Sequence, residues 1–362
     1  MALLFSPFSR SIRKRNPMKH SVQKDTQYKQ LEVIYQNPES AKEHQTSKRI
    51  SFYYNNLNTD FSHLYDGPYL EEVINHVRQS PKFLNEIDIY LHYYNPLDAE
   101  AEPIFITNKD CRRILILISD ETYSVPRYLT EHFDAVFKNF LWDPPKGVPL
   151  FPLPSGYSGE IKKAERKPTH KRTNDVFYAG RIEPRRHMLY RALSPLRFIP
   201  RMNSRLDRLL CRLYLKVFKQ NRIKSLPNSF LHFSSDEFHA GPLNSEQFNA
   251  MMMDSKIALC PRGRGVETFR HIEAARAGCV IFSDRLPPHH FYEQAPFVYF
   301  DSRNNLLPTL KEMLLDREAL EHRQSETLAW WDNTVNEASV ARYIVEKSVA
   351  SILSASHSER NG

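Results

Sequence analysis

Hydrophobic and polar residues follow two different periods along this chain. Ile114–Ile118 is a continuous apolar run, which suits a central strand buried on both faces of a parallel sheet. Arg49–Tyr54, Asp88–Tyr93, Val148–Pro154, Val176–Tyr178, Phe198-Ile199, Phe230–Phe233, Ile257–Cys260, Cys279–Phe282 and Phe297–Phe300 are further short, β-prone runs. Between them the spacing is helical, over Tyr69–Gln79, Tyr128–Asn139 (with Phe133–Phe137 approaching another strand), Pro184–Leu193, Arg201–Lys224, Ser245–Met253 with Ser245 as its cap, Leu306–Leu315 and 336–354. Strands alternating with helices predict an α/β protein with parallel sheets.

The pattern divides the chain into parts. Residues 1–48 carry Arg10, Arg13, Lys14, Arg15 and Lys19 with little periodicity, and read as a basic N-terminal arm with local structure near Leu31–Tyr35. Residues 49–150 form a first α/β domain. Residues 151–174, rich in Pro and Gly and then basic, form a linker. Residues 175–335 form a second domain, and 336–362 a C-terminal helix and tail. A chain of 362 residues is long enough for two cores.

Composition narrows the class. At 41% hydrophobic and 25% charged, the chain is an ordinary globular one. Cys111, Cys211, Cys260 and Cys279 show no metal or disulfide spacing and read as core residues in a reducing compartment. No run approaches the roughly 20 apolar residues that span a bilayer. Met1–Phe8 is too short and lacks a preceding basic segment, so the expected location is the cytoplasm. The net charge of +8 suits an anionic partner: a nucleotide, a nucleic acid or an acidic membrane face. The Arg201–Lys224 helix sharpens that question. It places an apolar stripe (Met202, Leu206, Leu209, Leu213, Val217) beside a basic one (Arg201, Arg205, Arg208, Arg212, Lys216, Lys219). Either the apolar stripe covers a sheet, which is the favoured expectation, or the helix lies on lipid.

The chemistry concentrates in Ser255–Asp284. A strand to Cys260 ends at Pro261-Arg262-Gly263-Arg264-Gly265, a helix opens near Thr268, and Gly278 stops it as a left-handed cap. A glycine turn feeding a helix N-terminus can bind phosphate, and Arg262, Arg264 and Arg270 add positive charge. The same residues also fit a tight turn with solvent-facing arginines. Two phosphate motifs are excluded: Thr268 stands where GxGxxG needs its third Gly, and no GK[ST] follows. Arg270 and Glu273 share one helix face. There an arginine can take a diphosphate oxygen and a carboxylate can accept ribose hydroxyls.

Cys260-Pro261, Gly263, Arg270, Glu273-Ala274, Ala277-Gly278-Cys279-Val280 and Ser283-Asp284 occur in the order and spacing of the donor-binding segment of exostosin-like glycosyltransferases, which the stretch resembles. It departs after Val280, where Ile281-Phe282 lead straight to Ser283 without the family's Pro. The resemblance covers under a tenth of the chain. It implies a GT-B fold, with two Rossmann-like domains facing a central cleft, and a nucleoside diphosphate sugar as donor rather than a bound cofactor. It also implies a second phosphate corner after Val176–Tyr178, where Arg181, Arg185 and Arg186 compete and Arg186 fits the register best.

No DxD triplet is present, and Gly265 stands where an E-x7-E pair would need a Glu before Glu273. An inverting, metal-independent transfer is therefore expected, with a carboxylate as base. Asp120 and Glu121, at the carboxyl end of the Ile114–Ile118 strand, are the candidates, with His63 and Asp66 as rivals. The expected acceptor is a cell-surface glycan or a lipid-linked one. The alternatives are a nucleotide-binding pseudoenzyme and a basic nucleic-acid-binding protein. The second lacks any RNA-binding aromatic motif, helix-turn-helix signature or zinc spacing.

Overall fold

The computed structural model describes residues 33–35, 51–54, 64–81, 87–93, 104–106, 111–118, 121, 123–157, 166–182, 186–200, 202–218, 226–234, 243–300 and 305–361. His63, Asp120, Arg185 and most of the basic arm lie outside them.

Two five-stranded sheets follow one another along the chain. The first is built from β2 (Ser51–Tyr54), β3 (Ile87–Tyr93), β5 (Arg112–Ile118), β6 (Ala135–Lys138) and β7 (Leu150–Pro152), side by side in that order. Only β2 runs antiparallel; β3, β5, β6 and β7 are parallel. Ile114–Ile118 and all of β6 are buried, as strands covered on both faces must be. A small parallel pair, β1 (Val33–Tyr35) with β4 (Ile104–Ile106), packs on the first sheet, with Ile104 and Ile106 buried against Tyr90, Leu115 and Leu117. The second sheet is parallel throughout, in the order β12 (Val298–Tyr299), β11 (Val280–Ser283), β10 (Ser255–Cys260), β8 (Asn174–Arg181), β9 (Phe230–Ser234).

The helices are α1 (Gly67–Arg78), α2 (His187–Leu193), α3 (Ser204–Phe218), α4 (Ser245–Met253), α5 (Phe269–Ala277), α6 (Leu306–Leu315), α7 (Arg317–Trp330) and α8 (Glu337–Asn361). Residues on β8 and β10 alternate between two cores. Phe177, Ala258 and Cys260 face α5 and a core that continues through Trp330, Trp331 and Tyr343 to Phe137 and Ile74 of the first sheet's layer. Val176, Tyr178, Ile257 and Leu259 face Leu189, Cys211 and Leu310 on the other side. The helix α8 returns to pack on α1 and β6. Tyr157 Oη donates to Glu337 Oε1 at 2.6 Å, and Tyr69 Oη donates to the Val335 carbonyl at 2.8 Å, tying the return in place.

Four expectations are corrected. Tyr128–Asn139 is a short 3-10 turn at Arg127–Glu131 followed by β6, because the buried run Ala135–Lys138 pairs with β5 and takes the strand state. Phe198-Ile199 is no strand: Phe198 ends a 3-10 turn, and both residues are exposed. Asn244 rather than Ser245 caps α4; its side chain accepts from the Gln247 N–H while Gln247 bonds back to the Asn244 N–H. The apolar stripe of α3 does not cover the sheet. Leu206, Leu209, Leu213 and Val217 face solvent, while Cys211 and Leu215 are the residues that pack inward.

Candidate functional site

The parallel strands β8, β10 and β11 end together, and the phosphate-friendly corners meet there, where open α/β sheets bind ligands. Arg186 Nε donates to the Arg262 carbonyl at 2.9 Å. A Cβ on Gly263 would come within 2.9 Å of Arg186 Nη2, so any side chain here would push this guanidinium aside. Arg270, from the first turn of α5, reaches the end of β8: a Cβ on Gly180 would sit 3.3 Å from its Nη1. Its guanidinium lies over the rings of Tyr178 (5.4 Å) and Phe248 (5.7 Å), and its Nε is buried without an acceptor. Arg181 closes β8, half-buried, paired in register with Ser234. Glu273 is buried one turn along α5 from Arg270, close enough to Cys260 for its charge to act there. Arg186, Arg262, Gly263, Arg270 and Glu273 are thus brought to one place.

The glycine turn is held by its own chain. Arg262 N–H donates to Asp284 Oδ2 at 2.8 Å. Val266 and Glu267 N–H both donate to Tyr123 Oη, at 2.7 and 3.2 Å. Thr268 N–H donates to His271 Nδ1 at 3.2 Å. His271 Nε2 donates on to Ser283 Oγ at 2.8 Å, and Ser283 Oγ to the Asp284 carbonyl at 2.7 Å. His271 Nδ1 also lies 2.9 Å from the Thr268 carbonyl, and burial lowers the imidazole pKa to about 4, which favours the neutral ring. Thr268 and His271 therefore cap α5. Positive charge at the site comes from guanidinium groups more than from free loop N–H groups.

The opposite wall comes from the first domain. Glu121 Oε2 lies 3.7 Å from Arg264 Nε, across the cleft from the turn. Tyr123, at φ 61°, packs edge-on against Phe140 and Trp142, and Gly265 faces the same group. The Tyr65 ring meets that of Phe269, centroids 4.6 Å apart, which places the start of α1 beside the start of α5. Asp66, next to it, is buried, and burial raises its carboxyl to about 6.

Three residues that sequence reasoning missed complete the seam. Tyr123 and Glu267 lie in irregular segments with no spacing to betray them. Glu267 Oε1 accepts from Ser155 (N–H, and Oγ at 2.8 Å) and from Tyr292 Oη at 2.6 Å, and burial raises its pKa. Buried Lys138, whose Nζ donates to the Asn139 and Phe140 carbonyls at 3.1 and 3.2 Å, offsets part of that rise. His271 did leave a trace: Thr268-x-x-His271 has the spacing of a capping box, with His at N3.

Among the described residues no group of three or more His, Cys, Asp or Glu is placed to hold a metal ion. A separate cavity of about 580 Å³, lined by Lys146, Phe151, His289, Arg342, Tyr343 and Lys347 among others, shares no residue with this site. No helix among the described residues is long and apolar enough to cross a membrane.

No protein-family profile and no curated protein matches the chain. Solved structures do. Anabaena Alr3699/HepE in complex with UDP is similar at 13% identity, over 66% of this chain and 72% of its own, with a TM-score of 0.40. Sucrose-phosphate synthase from Thermosynechococcus elongatus is similar at 11% identity, over 82% and 81%, with a TM-score of 0.43. AviGT4, a glycosyltransferase of avilamycin A biosynthesis, is similar at 9% identity, over 88% and 97%, with a TM-score of 0.36. This chain has two mainly parallel α/β sheets in series, with a C-terminal helix returning to the first.

Proposed function

We propose that this chain is a glycosyltransferase. It moves a sugar from a nucleoside diphosphate to a hydroxyl of a glycan or lipid-linked acceptor, with inversion and without a metal. The observation that carries the reading is the convergence of Arg186 and Arg270 on Gly263 and Gly180, at the carboxyl ends of β10 and β8. The exostosin-like order of Gly263, Arg270, Glu273 and Gly278 supports it.

In this reading Arg186 and Arg270 hold the diphosphate, with Arg181, Arg185, Arg262 and Arg264 adding charge, while Gly263 and Gly265 let the chain approach it. Thr268 caps the helix that carries Arg270, and Glu273 takes the ribose hydroxyls. A carboxylate of the facing wall, Asp120 or Glu121, removes the proton of the acceptor hydroxyl. The oxygen attacks the anomeric carbon in line as the bond to the diphosphate breaks, and the arginines stabilise the charge that leaves. Asp66 is a second reading for the base. Its carboxyl, raised to about 6 and set beside the Tyr65–Phe269 contact, is tuned as a general base near neutral pH should be.

Calorimetry with a panel of nucleoside diphosphates tests the donor site. Wild type binds at least one of them, and Arg270→Ala and Glu273→Ala weaken that binding at least tenfold. Binding of none by wild type sinks the reading. A nucleotide-sugar hydrolysis and transfer screen with Asp120→Asn, Glu121→Gln and Asp66→Asn then assigns the base. Turnover that survives in all three variants removes the carboxylate mechanism, and binding without any turnover favours a nucleotide-binding pseudoenzyme.

A further inference from the structure

The helix α3 has two apolar faces, and only one of them is used. Cys211 and Leu215 pack inward, while Asp207, 2% exposed, pairs with Arg191 at 3.2 Å. On the other face Leu206, Leu209, Leu213 and Val217 are 47%, 53%, 52% and 71% exposed. At 100° per residue these four fall within an arc of about 80°, with Met202 exposed just before the helix starts. The preceding turn extends the patch with Phe198, 78% exposed, over which Arg197 stacks at 4.4 Å, and with Ile199. A monomer in water rarely leaves so contiguous an aliphatic stripe open.

The charges beside the stripe identify its occupant. Arg205, Arg208, Arg212 and Lys216 run along one flank. The only acid of α3 is Asp207, which is buried. A second copy of the chain docked antiparallel on this face would bring two rows of cations together, and in neither orientation does α3 offer an exposed acid to meet them. An acidic lipid surface meets both features: acyl chains take the leucines, and headgroup phosphates take the guanidinium and ammonium heads at the ends of long stems. We infer that the exposed face of α3, together with Phe198 and Ile199, docks this protein on an anionic membrane surface, with the helix lying in the plane of the interface. The stripe sits on the side of the second sheet opposite α5, so the inference does not rest on the donor site.

Flotation of the full-length protein with vesicles tests it, using phosphatidylcholine alone and phosphatidylcholine mixed with phosphatidylglycerol. Wild type floats with the anionic vesicles only, and salt weakens the association. The Leu209→Ser/Leu213→Ser variant, changed at exposed positions, folds as wild type by circular dichroism and stays at the bottom of the gradient. Arg205→Gln/Arg208→Gln loses about fivefold in partition per arginine removed. Failure of wild type to float, or flotation that the leucine variant retains, overturns the inference. So does a wild-type dimer that the leucine variant turns into a monomer, since the stripe is then a self-interface. Nucleotide binding by the leucine variant, measured alongside, stays at the wild-type level, so failure of the membrane inference and failure of the donor reading are told apart.

Discussion

Asp66 shows how a single side chain records its surroundings. Its carboxyl is buried where Gly156 packs against it: a Cβ on Gly156 would lie 2.8 Å from the Asp66 Cβ. Burial raises its pKa from 3.8 to about 6, against backbone hydrogen bonds that lower it. A carboxyl with a raised folded pKa binds its proton more tightly when folded. It therefore costs nothing below pH 3.8, and the cost of burying its charge grows as pH rises through about 6. Asp66→Asn is accordingly expected to match wild type at pH 4 and to exceed it by roughly 1–3 kcal/mol at pH 8, read by urea denaturation at both values. An equal offset at the two pH values would show that the gain comes from packing instead. His271 has the opposite sign. Its pKa falls from 6.5 to about 4, so its support for α5 is full above 6.5 and is lost as pH drops toward 4. Neither shift is legible in sequence, since both follow from what the folded chain places around the group.

At the scale of elements, the segment from β10 through α5 to β11 was the most readable. Pro261 and the glycines end the strand, and Gly278, at φ 67° and ψ 37°, ends the helix as a left-handed cap. Asp284 and His271, within the segment, hold part of the turn between them, but the bonds from Tyr123 were not readable, because they come from the other domain. Tyr123 Oη accepts two N–H groups of the turn, so Tyr123→Phe leaves both without their acceptor. The expected loss is about 1–3 kcal/mol in denaturant midpoint experiments, with faster amide exchange at Val266 and Glu267. Unchanged exchange at those two amides would mean that water or another group serves them equally well. The helix α3 taught the reverse lesson. Its two stripes were plain in the sequence, but periodicity shows that a face is apolar, not which of two apolar faces a neighbour covers. The buried face is lined by Cys211 and Leu215, with Leu210 and Tyr214 partly covered, and the more strongly apolar stripe is the exposed one. Tyr128–Asn139 holds a strand where the spacing reads as a helix for a related reason: a short apolar run fits helix and strand alike, and pairing with β5 decides.

The two sheets are joined through one shared core, while each keeps a further core of its own. Phe137, Ile74 and Tyr69 belong to the same cluster as Ile272, Trp330 and Tyr343. The helix α8 supplies Val340, Ala341, Tyr343 and Ile344 to it, all buried. Removal of residues 337–362 is expected to uncover α1 and β6 and to abolish cooperative unfolding, as followed by scanning calorimetry. A truncated chain that still melts in one sharp transition would show that α8 is an accessory. The sequence by itself determined the α/β class, most of the parallel strands and the glycine-arginine segment, because strand burial, helix caps and turn glycines are local demands met by local residues. Only the tertiary structure decided that Arg186 lies over Gly263, that Tyr123 and Glu121 meet the turn from the opposite wall, that Asp66 is buried beside it, and that the leucines of α3 face outward. Each of these depends on segments distant in sequence coming together, and no single-chain periodicity encodes which distant segment will arrive.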